Sequence, residues 1–247
     1  MLFKTVYGPE LETVFCFLQY FGPAGRDEIY NTFLPQAGEK LGSSTNLDDA
    51  LVFLQSGGVV KKLENEQYVS CGESCFALQL LRNLRAIQKV KVPAEHPLDP
   101  WYLNIIEKIF IYPDRPVVFD MHTKVNTLKV PSPISEEKIN AWRRVAEFLG
   151  FGFRVFSGFW CYYRPDLVLT IIDAWDNAAG PLQEFLEEYF SNYLPWVTSG
   201  GDVALSLWHP LEILEQEGYI KLSQKQDLPS KSYLGARGIK WIERCGA

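Results

Sequence analysis

The chain has 247 residues, of which 47% are hydrophobic and 22% are charged, a balance typical of a globular protein and not of a disordered one. Its net charge of −6 argues against a protein whose main task is to hold nucleic acid. No apolar run reaches the roughly 18–20 residues that a membrane span needs, and the first ten residues lack a signal-peptide pattern. We therefore expect a cytoplasmic protein without membrane association.

The five cysteines are odd in number and scattered, which is typical of reduced thiols in a cytoplasmic protein. Cys16 and Cys161 each stand between two aromatic residues, so buried thiols are expected. Cys71 and Cys75 form the only close pair, and no second pair of Cys or His completes the four ligands of a structural zinc site. The sequence predicts neither a cofactor nor a metal.

The first module is predicted over residues 1–72. Apolar residues at helical spacing, Gly22 as a helix stop and Asn46 as a helix cap indicate three helices followed by a hairpin. Strand-forming residues follow the break at Gly57-Gly58. The predicted helices and strands cover residues 11–21, 26–34, 47–55, 59–63 and 67–70.

Residues 73–97 are predicted as a connecting helix with one apolar stripe, which ends at Pro93. This segment carries Arg82, Arg85 and Lys89, and no acidic residue stands between Glu73 and Glu95. The pattern predicts an exposed basic edge.

The middle module is predicted over residues 98–180. Asp99 is placed as an N-cap because Pro100 suits the first position of a helix. Residues 117–130 alternate unevenly and indicate either a strand or a degenerate second helix. A third helix capped by Ser135 and a hairpin over residues 151–163 complete the module.

The C-terminal module is predicted over residues 181–247. Helical spacing, a glycine stop at Gly218 and two β-type stretches indicate three helices and a hairpin. The predicted helices and strands cover residues 181–194, 203–208, 209–217, 219–222 and 232–242.

An amphipathic helix, a glycine break and a short β-type stretch therefore occur three times, over residues 51–62, 145–156 and 211–222. This unit resembles the second half of a winged-helix domain, and the chain is similar to the tandem winged-helix superfamily. The resemblance implies an α+β, mainly helical fold with two or three winged-helix modules joined by a helix. It also implies binding rather than catalysis, as in transcription factors, kleisin-binding subunits of SMC complexes and membrane-sorting adaptors.

A winged helix that reads DNA places its third helix in the major groove and needs Lys or Arg there. The helix over residues 46–56 has two Asp and no basic residue, and the helix over 209–218 has three Glu and no basic residue. Only the middle module carries Lys or Arg on or beside its third helix. These residues either form a solvated helix face or contact a ligand. Together with the connecting helix, the nucleic-acid candidates are Arg82, Arg85, Lys89, Lys138, Arg143, Arg144, Arg154 and Arg164.

The segment from Pro165 to Ile220 holds ten acidic residues and no Lys or Arg, which suits docking on a basic protein surface, although ordinary surface variation also produces such runs. Aromatic residues crowd residues 142–163, and about half must face away from the local core. They either pack against a neighbouring module or form an interaction patch. The protein-interface candidates are Glu184, Glu187, Glu188, Glu212, Glu215, Trp160 and Tyr162.

The sequence contains none of the phosphate-loop, dinucleotide, metalloprotease or serine-hydrolase motifs. Asp120 and His122 have strand spacing and would share a face, either as a metal-binding pair or as surface residues beside a turn. The leading hypothesis is a non-enzymatic winged-helix adaptor, a subunit of a larger assembly that binds a partner with a basic surface. The alternative is a DNA-binding protein or transcriptional regulator that uses the middle module and the basic linker. An enzyme acting through Asp120 and His122 is a third option.

Overall fold

The computed structural model describes residues 1–33, 45–72, 75–225 and 238–245. These residues form an α+β, mainly helical fold with three antiparallel sheets of three strands each. The chain divides into two compact units. Unit 1 comprises Met1–Tyr102 and Pro131–Phe148, and unit 2 comprises Leu103–Val130 and Leu149–Ala247.

The two units do not follow the predicted module boundaries at residues 72, 97 and 180. The segment predicted as the middle module contributes residues to both units. The two units are defined by compactness, whereas the modules were predicted from a repeated order of elements. The units therefore do not test the module boundaries, which stay a prediction.

One order of elements occurs three times in the described residues: helix, strand, helix, helix, strand, strand. In each sheet the last strand lies between the other two. The last two strands form a hairpin, and the short first strand pairs with the far side of the last. A six-element pattern that recurs with the same strand order indicates three copies of one structural plan.

The first copy lies in unit 1, and its predicted helices and hairpin are confirmed. Its elements are α1 (Gly8–Phe21), β1 (Ala24–Gly25), α2 (Arg26–Phe33), α3 (Thr45–Ser56), β2 (Val60–Lys62) and β3 (Gln67–Ser70). The sequence did not predict β1, whose Ala24 pairs with Tyr68 of β3. The expected cap Asn46 lies inside α3 and not before it. Helix α4 (Phe76–Gln88) lies within the segment predicted as a connecting helix and ends before Pro93.

In the second copy, residues 117–130 were predicted as either a strand or a degenerate second helix. The structure contains both, because a two-residue strand is followed there by a short helix. Its elements are α5 (Trp101–Ile105), which continues as a π-helical turn (Ile106–Ile111), β4 (Val117–Val118), α6 (Met121–Asn126), α7 (Glu136–Phe148), β5 (Gly152–Val155) and β6 (Gly158–Cys161). The prediction that Asp99 caps the first helix is wrong. Its buried carboxylate accepts hydrogen bonds from the backbone N–H groups of Leu2 at 2.7 Å and His96 at 3.0 Å.

The third copy begins earlier than its predicted module. Its elements are α8 (Pro165–Asp173), β7 (Ala179–Pro181), α9 (Leu182–Glu184), which continues as a π-helical turn (Phe185–Tyr189) and a 3-10 turn (Phe190–Asn192), α10 (Leu205–Gln216), β8 (Ile220–Ser223) and β9 (Trp241–Arg244). The two helices predicted over 203–208 and 209–217 are one helix, α10, with Pro210 inside it. The predicted last strand began at residue 232, and residues 226–237 lie outside the described residues.

The core of unit 1 is built around Tyr102 and Trp142, which are each 1% exposed. The Tyr102 ring lies 5.5 Å from the Phe3 ring and 5.7 Å from the Phe53 ring, measured between centroids. The Trp142 indole N–H donates to the backbone carbonyl of Tyr102 at 2.9 Å. Helix α7, the third helix of the second copy, is thereby fixed in the core of this unit.

Replacing Tyr102 by phenylalanine is expected to raise the free energy of unfolding by about 1 kcal/mol, because a buried hydroxyl without a partner costs free energy. Among the described residues, the Tyr102 hydroxyl has no hydrogen-bond partner. Tyr163→Phe is the matched control, since the buried Tyr163 hydroxyl donates to the Pro195 carbonyl at 2.6 Å. That change is expected to lower the free energy of unfolding, as measured by urea unfolding. A loss of stability in Tyr102→Phe, or a gain in Tyr163→Phe, would contradict the assignment for that residue.

The core of unit 2 contains edge-on and tilted aromatic pairs. Phe110 and Phe159 lie 5.9 Å apart and Trp175 and Phe185 lie 4.9 Å apart, measured between ring centroids. These pairs tie the hairpin of the second copy and the helices of the third copy into unit 2. Across the described residues, none of the helices combines the length and apolar character that a membrane span requires.

Candidate functional site

The hairpin of β5 and β6 carries aromatic residues on both faces. Phe151, Phe159 and Tyr163 point inward and are buried, together with Cys161. On β6, Trp160 points to the other face because side chains alternate along a strand, and Phe153 shares that face because it is paired directly with Trp160. Phe153 is 38% exposed and Trp160 is 43% exposed. The expectation that about half of these rings face away from the core is confirmed.

The outward rings of Phe153, Trp160 and Tyr162 form one continuous surface, which we name the aromatic ladder. Phe153 and Trp160 are directly paired across the two strands, and their ring centroids lie 5.9 Å apart. Tyr162 lies 5.7 Å from Trp160 and 6.2 Å from Phe153. At the tip of the same hairpin, Phe156 is 92% exposed. An exposed apolar surface of this kind is typical of an interaction site.

The ladder is fixed to helix α10 by a hydrogen-bond arrangement that depends on Pro210. Proline has no N–H, so it leaves the carbonyl of the residue four positions earlier, Ser206, without its helical donor. That carbonyl accepts a hydrogen bond from the Tyr163 N–H at 3.0 Å. The Ser206 hydroxyl donates to the Cys161 carbonyl at 3.0 Å. Pro210 therefore lies inside α10 and frees a carbonyl that holds the end of β6.

The first turn of α10 has a further anchor. The backbone N–H of Leu205 donates to the Asp114 carboxylate at 2.9 Å. A carboxylate suits this position because the N-terminal N–H groups of a helix lack intrahelical acceptors and carry partial positive charge. The start of α10 is thus held against both β6 and the loop after the π-helical turn.

A pocket of about 150 Å³ lies between the ladder and α10. Trp160 and Tyr162 line one side, and Leu205, Ser206 and His209 line the other. Cys161 also borders the pocket, and burial raises the pKa of its thiol to about 12, so this cysteine is a neutral thiol and no nucleophile at neutral pH. The pocket is large enough for one side chain of a bound partner and too small for a typical cofactor.

The charges beside the pocket are negative. Burial, followed by the negative charge of Glu217, raises the pKa of the Tyr162 hydroxyl. The Glu212 carboxylate lies 3.3 Å from the Nδ1 atom of His209. Arg164 is neutralised by Asp166 at 3.0 Å. Arg154 follows Phe153 on β5, and the alternation of the strand directs its side chain away from the ladder face.

The predicted acidic interface residues divide into two groups. Glu184, Glu187 and Glu188 are exposed on α9 and the π-helical turn that follows it. Glu212 and Glu215 are half-buried on α10. Glu215 has a structural role, because its carboxylate accepts a hydrogen bond from the backbone N–H of Leu222 in the edge strand β8 at 3.1 Å.

The predicted basic candidates do not form one exposed edge. Arg85 and Arg143 are buried, and Arg143 donates to the Asn140 side chain at 2.9 Å. The Arg144 guanidinium lies over the Tyr7 ring at 4.9 Å. Arg82, Lys89 and Arg154 are exposed, and Lys138 is half-buried. The expectation that Arg85 contributes to an exposed edge is wrong, since the buried face of α4 extends beyond its apolar stripe.

The third helices of the first and second copies are poorly suited to a DNA groove. In α7, every residue from Lys138 to Phe148 is buried or half-buried. In α3, Asp48 binds Arg26 through two hydrogen bonds of 2.8 and 2.7 Å, and Asp49 binds Lys4 at 2.8 Å. A helix that reads DNA must expose basic or polar side chains along one face. Neither helix does so.

The Asp48–Arg26 pair predicts a pH effect on unit 1. Hydrogen bonding to Arg26 lowers the pKa of the Asp48 carboxyl below its ordinary value. A carboxyl with a lowered folded-state pKa stabilises the fold above its unfolded pKa of about 3.9 and loses this contribution as pH falls through the folded value. Wild type should therefore melt at a higher temperature than Asp48→Asn at pH 7. At pH 2 the two should coincide, and an equal gap at both values would contradict the pair.

Asp120 and His122 do not lie on a strand, so the predicted strand geometry of a metal-binding pair is wrong, whereas the exposed Asp120 fits the alternative of surface residues beside a turn. Asp120 caps α6, where its side chain accepts from the Thr123 N–H at 3.2 Å, and His122 lies in the first turn of this helix. Within the described ranges, no group of three or more His, Cys, Asp or Glu could hold a metal ion. Cys161 is buried as expected, but Cys16 and Cys75 are exposed, and all five cysteines are free thiols.

No protein-family model, curated protein or solved structure matches this chain. The features of this chain that bear on its function are therefore the aromatic ladder, its pocket and the surrounding charges.

Proposed function

We propose that this protein is a non-enzymatic, cytoplasmic adaptor of tandem winged-helix modules, a subunit of a larger assembly that binds a partner with a basic surface. The observation that carries the proposal is the aromatic ladder beside carboxylates on unit 2. Exposed Trp and Tyr supply much of the binding free energy at protein interfaces. The adjacent negative charge selects a partner of opposite sign.

The winged-helix assignment is supported by the repeated order of six elements and by the shared strand order of the three sheets. A helix followed by a second helix and a short hairpin is the plan of winged helix-turn-helix domains. The burial of α7, the paired acids of α3 and the Glu residues of α10 favour protein binding over DNA reading. Free thiols in all five cysteines support a reducing compartment.

Site-specific photo-crosslinking in the native cell tests the adaptor function. Benzoylphenylalanine in place of Phe153 should crosslink to one identified protein through a peptide of net positive charge. The same group in place of Tyr20, which is 84% exposed in unit 1, is the control and should not crosslink to that peptide. Crosslinks from position 153 only to this chain, or to no protein, would overturn the proposal.

Titration with a fluorescent DNA duplex separates the adaptor from the DNA-binding alternative. We expect no saturation below about 100 μM duplex at 0.15 M salt, the weak end of non-specific binding. Strong binding that falls steeply between 50 and 200 mM salt would favour the alternative. In that case Arg82→Glu with Lys89→Glu should abolish binding, since both side chains are exposed on or directly after α4.

A further inference from the structure

The three rings of the aromatic ladder pack against one another. Their centroids are 5.7–6.2 Å apart, so no cation fits between them as it does in an aromatic cage. Only the outward ring faces are available to a ligand. A flat aromatic surface stacks well on a planar guanidinium, whereas a compact, strongly hydrated ammonium gains less from it.

The pocket beside Trp160 offers acceptors for such a group. The Ser206 hydroxyl uses its proton on the Cys161 carbonyl and retains lone pairs that can accept a hydrogen bond. The Glu212 carboxylate lies 3.3 Å from the Nδ1 atom of His209, which lines the pocket, and the negative charge of Glu217 acts on Tyr162. No Lys or Arg occurs from Pro165 to Ile220, so α10 itself brings neither residue type to the pocket.

The distance between the rings of the aromatic ladder is close to the spacing of side chains on one face of an extended peptide. Trp160 and Tyr162 are two residues apart on one strand, and their rings lie 5.7 Å apart. Side chains two residues apart on an extended peptide are separated by about 6.6 Å and point to the same side. An extended segment that runs along the ladder therefore places every second side chain over a ring.

We propose that the aromatic ladder and its pocket bind an extended segment with arginine at alternate positions, one guanidinium stacked on Trp160 and directed into the pocket. This inference rests on the proposed adaptor function and names the chemistry of its partner. Carboxylates at the rim pair with the cationic side chains, and the exposed rings of Phe153 and Phe156 cover the apolar parts of the segment.

The test uses the full chain and three fluorescein-labelled heptapeptides in which alanine alternates with arginine, lysine or citrulline. Citrulline keeps the shape of arginine but has no charge. We expect the arginine peptide to bind at least about tenfold more tightly than the citrulline peptide, with lysine between them, in fluorescence anisotropy. Equal binding of the arginine and citrulline peptides, or no measurable binding of the arginine peptide, would overturn the inference.

Variants of the chain locate the site. Trp160→Ala should weaken binding of the arginine peptide at least about tenfold, as expected for a central aromatic contact. Glu217→Gln changes one exposed carboxylate and should weaken binding about threefold without affecting the fold. Tyr20→Ala removes an exposed ring from unit 1 and should leave binding unchanged. Full affinity in both Trp160→Ala and Glu217→Gln would place binding elsewhere and overturn the inference.

Failure of the inference can be distinguished from failure of the adaptor function. A protein that crosslinks at position 153 through a peptide without alternating arginines would retain the adaptor function and overturn the arginine specificity. Absence of any crosslinked partner would overturn the adaptor function itself.

Discussion

Replacing Trp142 by alanine is expected to lower the free energy of unfolding of unit 1 by about 3–5 kcal/mol, the range for truncating a buried Trp. The Trp142 side chain is 1% exposed and its ring lies 6.4 Å from the Tyr102 ring. Its indole N–H also satisfies the buried carbonyl of Tyr102 at 2.9 Å. The alanine variant loses apolar contacts and a buried hydrogen bond, and it leaves a cavity.

Urea unfolding followed by circular dichroism measures this loss without relying on the fluorescence of the deleted tryptophan. Trp160→Ala is the matched control because its side chain is 43% exposed on the outer face of the hairpin. It should cost less than about 1 kcal/mol, as most surface substitutions do. Similar losses for the two tryptophans would contradict the assignment of one to the core and the other to a binding surface.

Local sequence signals predicted the helices and hairpin of the first copy because each boundary has a backbone cause. Gly22 adopts a positive φ of 86° at the end of α1, and Pro23 prevents continuation of the helix. Strand β1 was not predicted because two residues are too few to show the alternation of apolar and polar side chains. Its formation depends on pairing with β3, a contact that sequence spacing does not reveal.

A helix boundary was predicted between residues 208 and 209, but a single helix, α10, continues through Pro210. Proline usually disfavours a helix interior because it has no N–H to donate. In the structure, the Ser206 carbonyl that Pro210 frees accepts a hydrogen bond from the N–H of Tyr163, which lies 43 positions before Ser206 in the sequence. That tertiary hydrogen bond offsets part of the cost of a proline inside α10.

The candidate site was predicted in part. Alternation along a strand indicated that some rings of the hairpin face outward, and Trp160 and Tyr162 were already candidate interface residues. Counting charges did not reveal that Arg85 and Arg143 are buried. The buried face of α4 includes Leu81 and Gln88 beside Arg85, which widens it beyond the apolar stripe. The paired state of Asp48 likewise depends on Arg26, which precedes it by 22 residues.

Replacing Gly158 by alanine is expected to lower the free energy of unfolding of unit 2 by about 3 kcal/mol, the upper end for overpacking. An added Cβ atom would lie 2.3 Å from the Val118 carbonyl oxygen and 2.9 Å from the Phe119 Cα atom. Both are backbone atoms, so no side-chain rotation relieves the clash. The only relief is separation of β4 from β6, where Phe159 pairs with Val118.

The consequence for function follows from the position of Gly158 at the start of β6, two residues before Trp160. If β4 separates, the hairpin loses one side of its pairing, and the ladder should bind the arginine peptide more weakly as well. Gly200→Ala is the matched control in unit 2, because its added Cβ atom would meet only side-chain atoms of Asp202 and Thr198, each at 3.6 Å. Thermal unfolding and peptide anisotropy on both variants test this coupling. Wild-type stability in Gly158→Ala would contradict the close approach of β4 to Gly158 and its support of the hairpin.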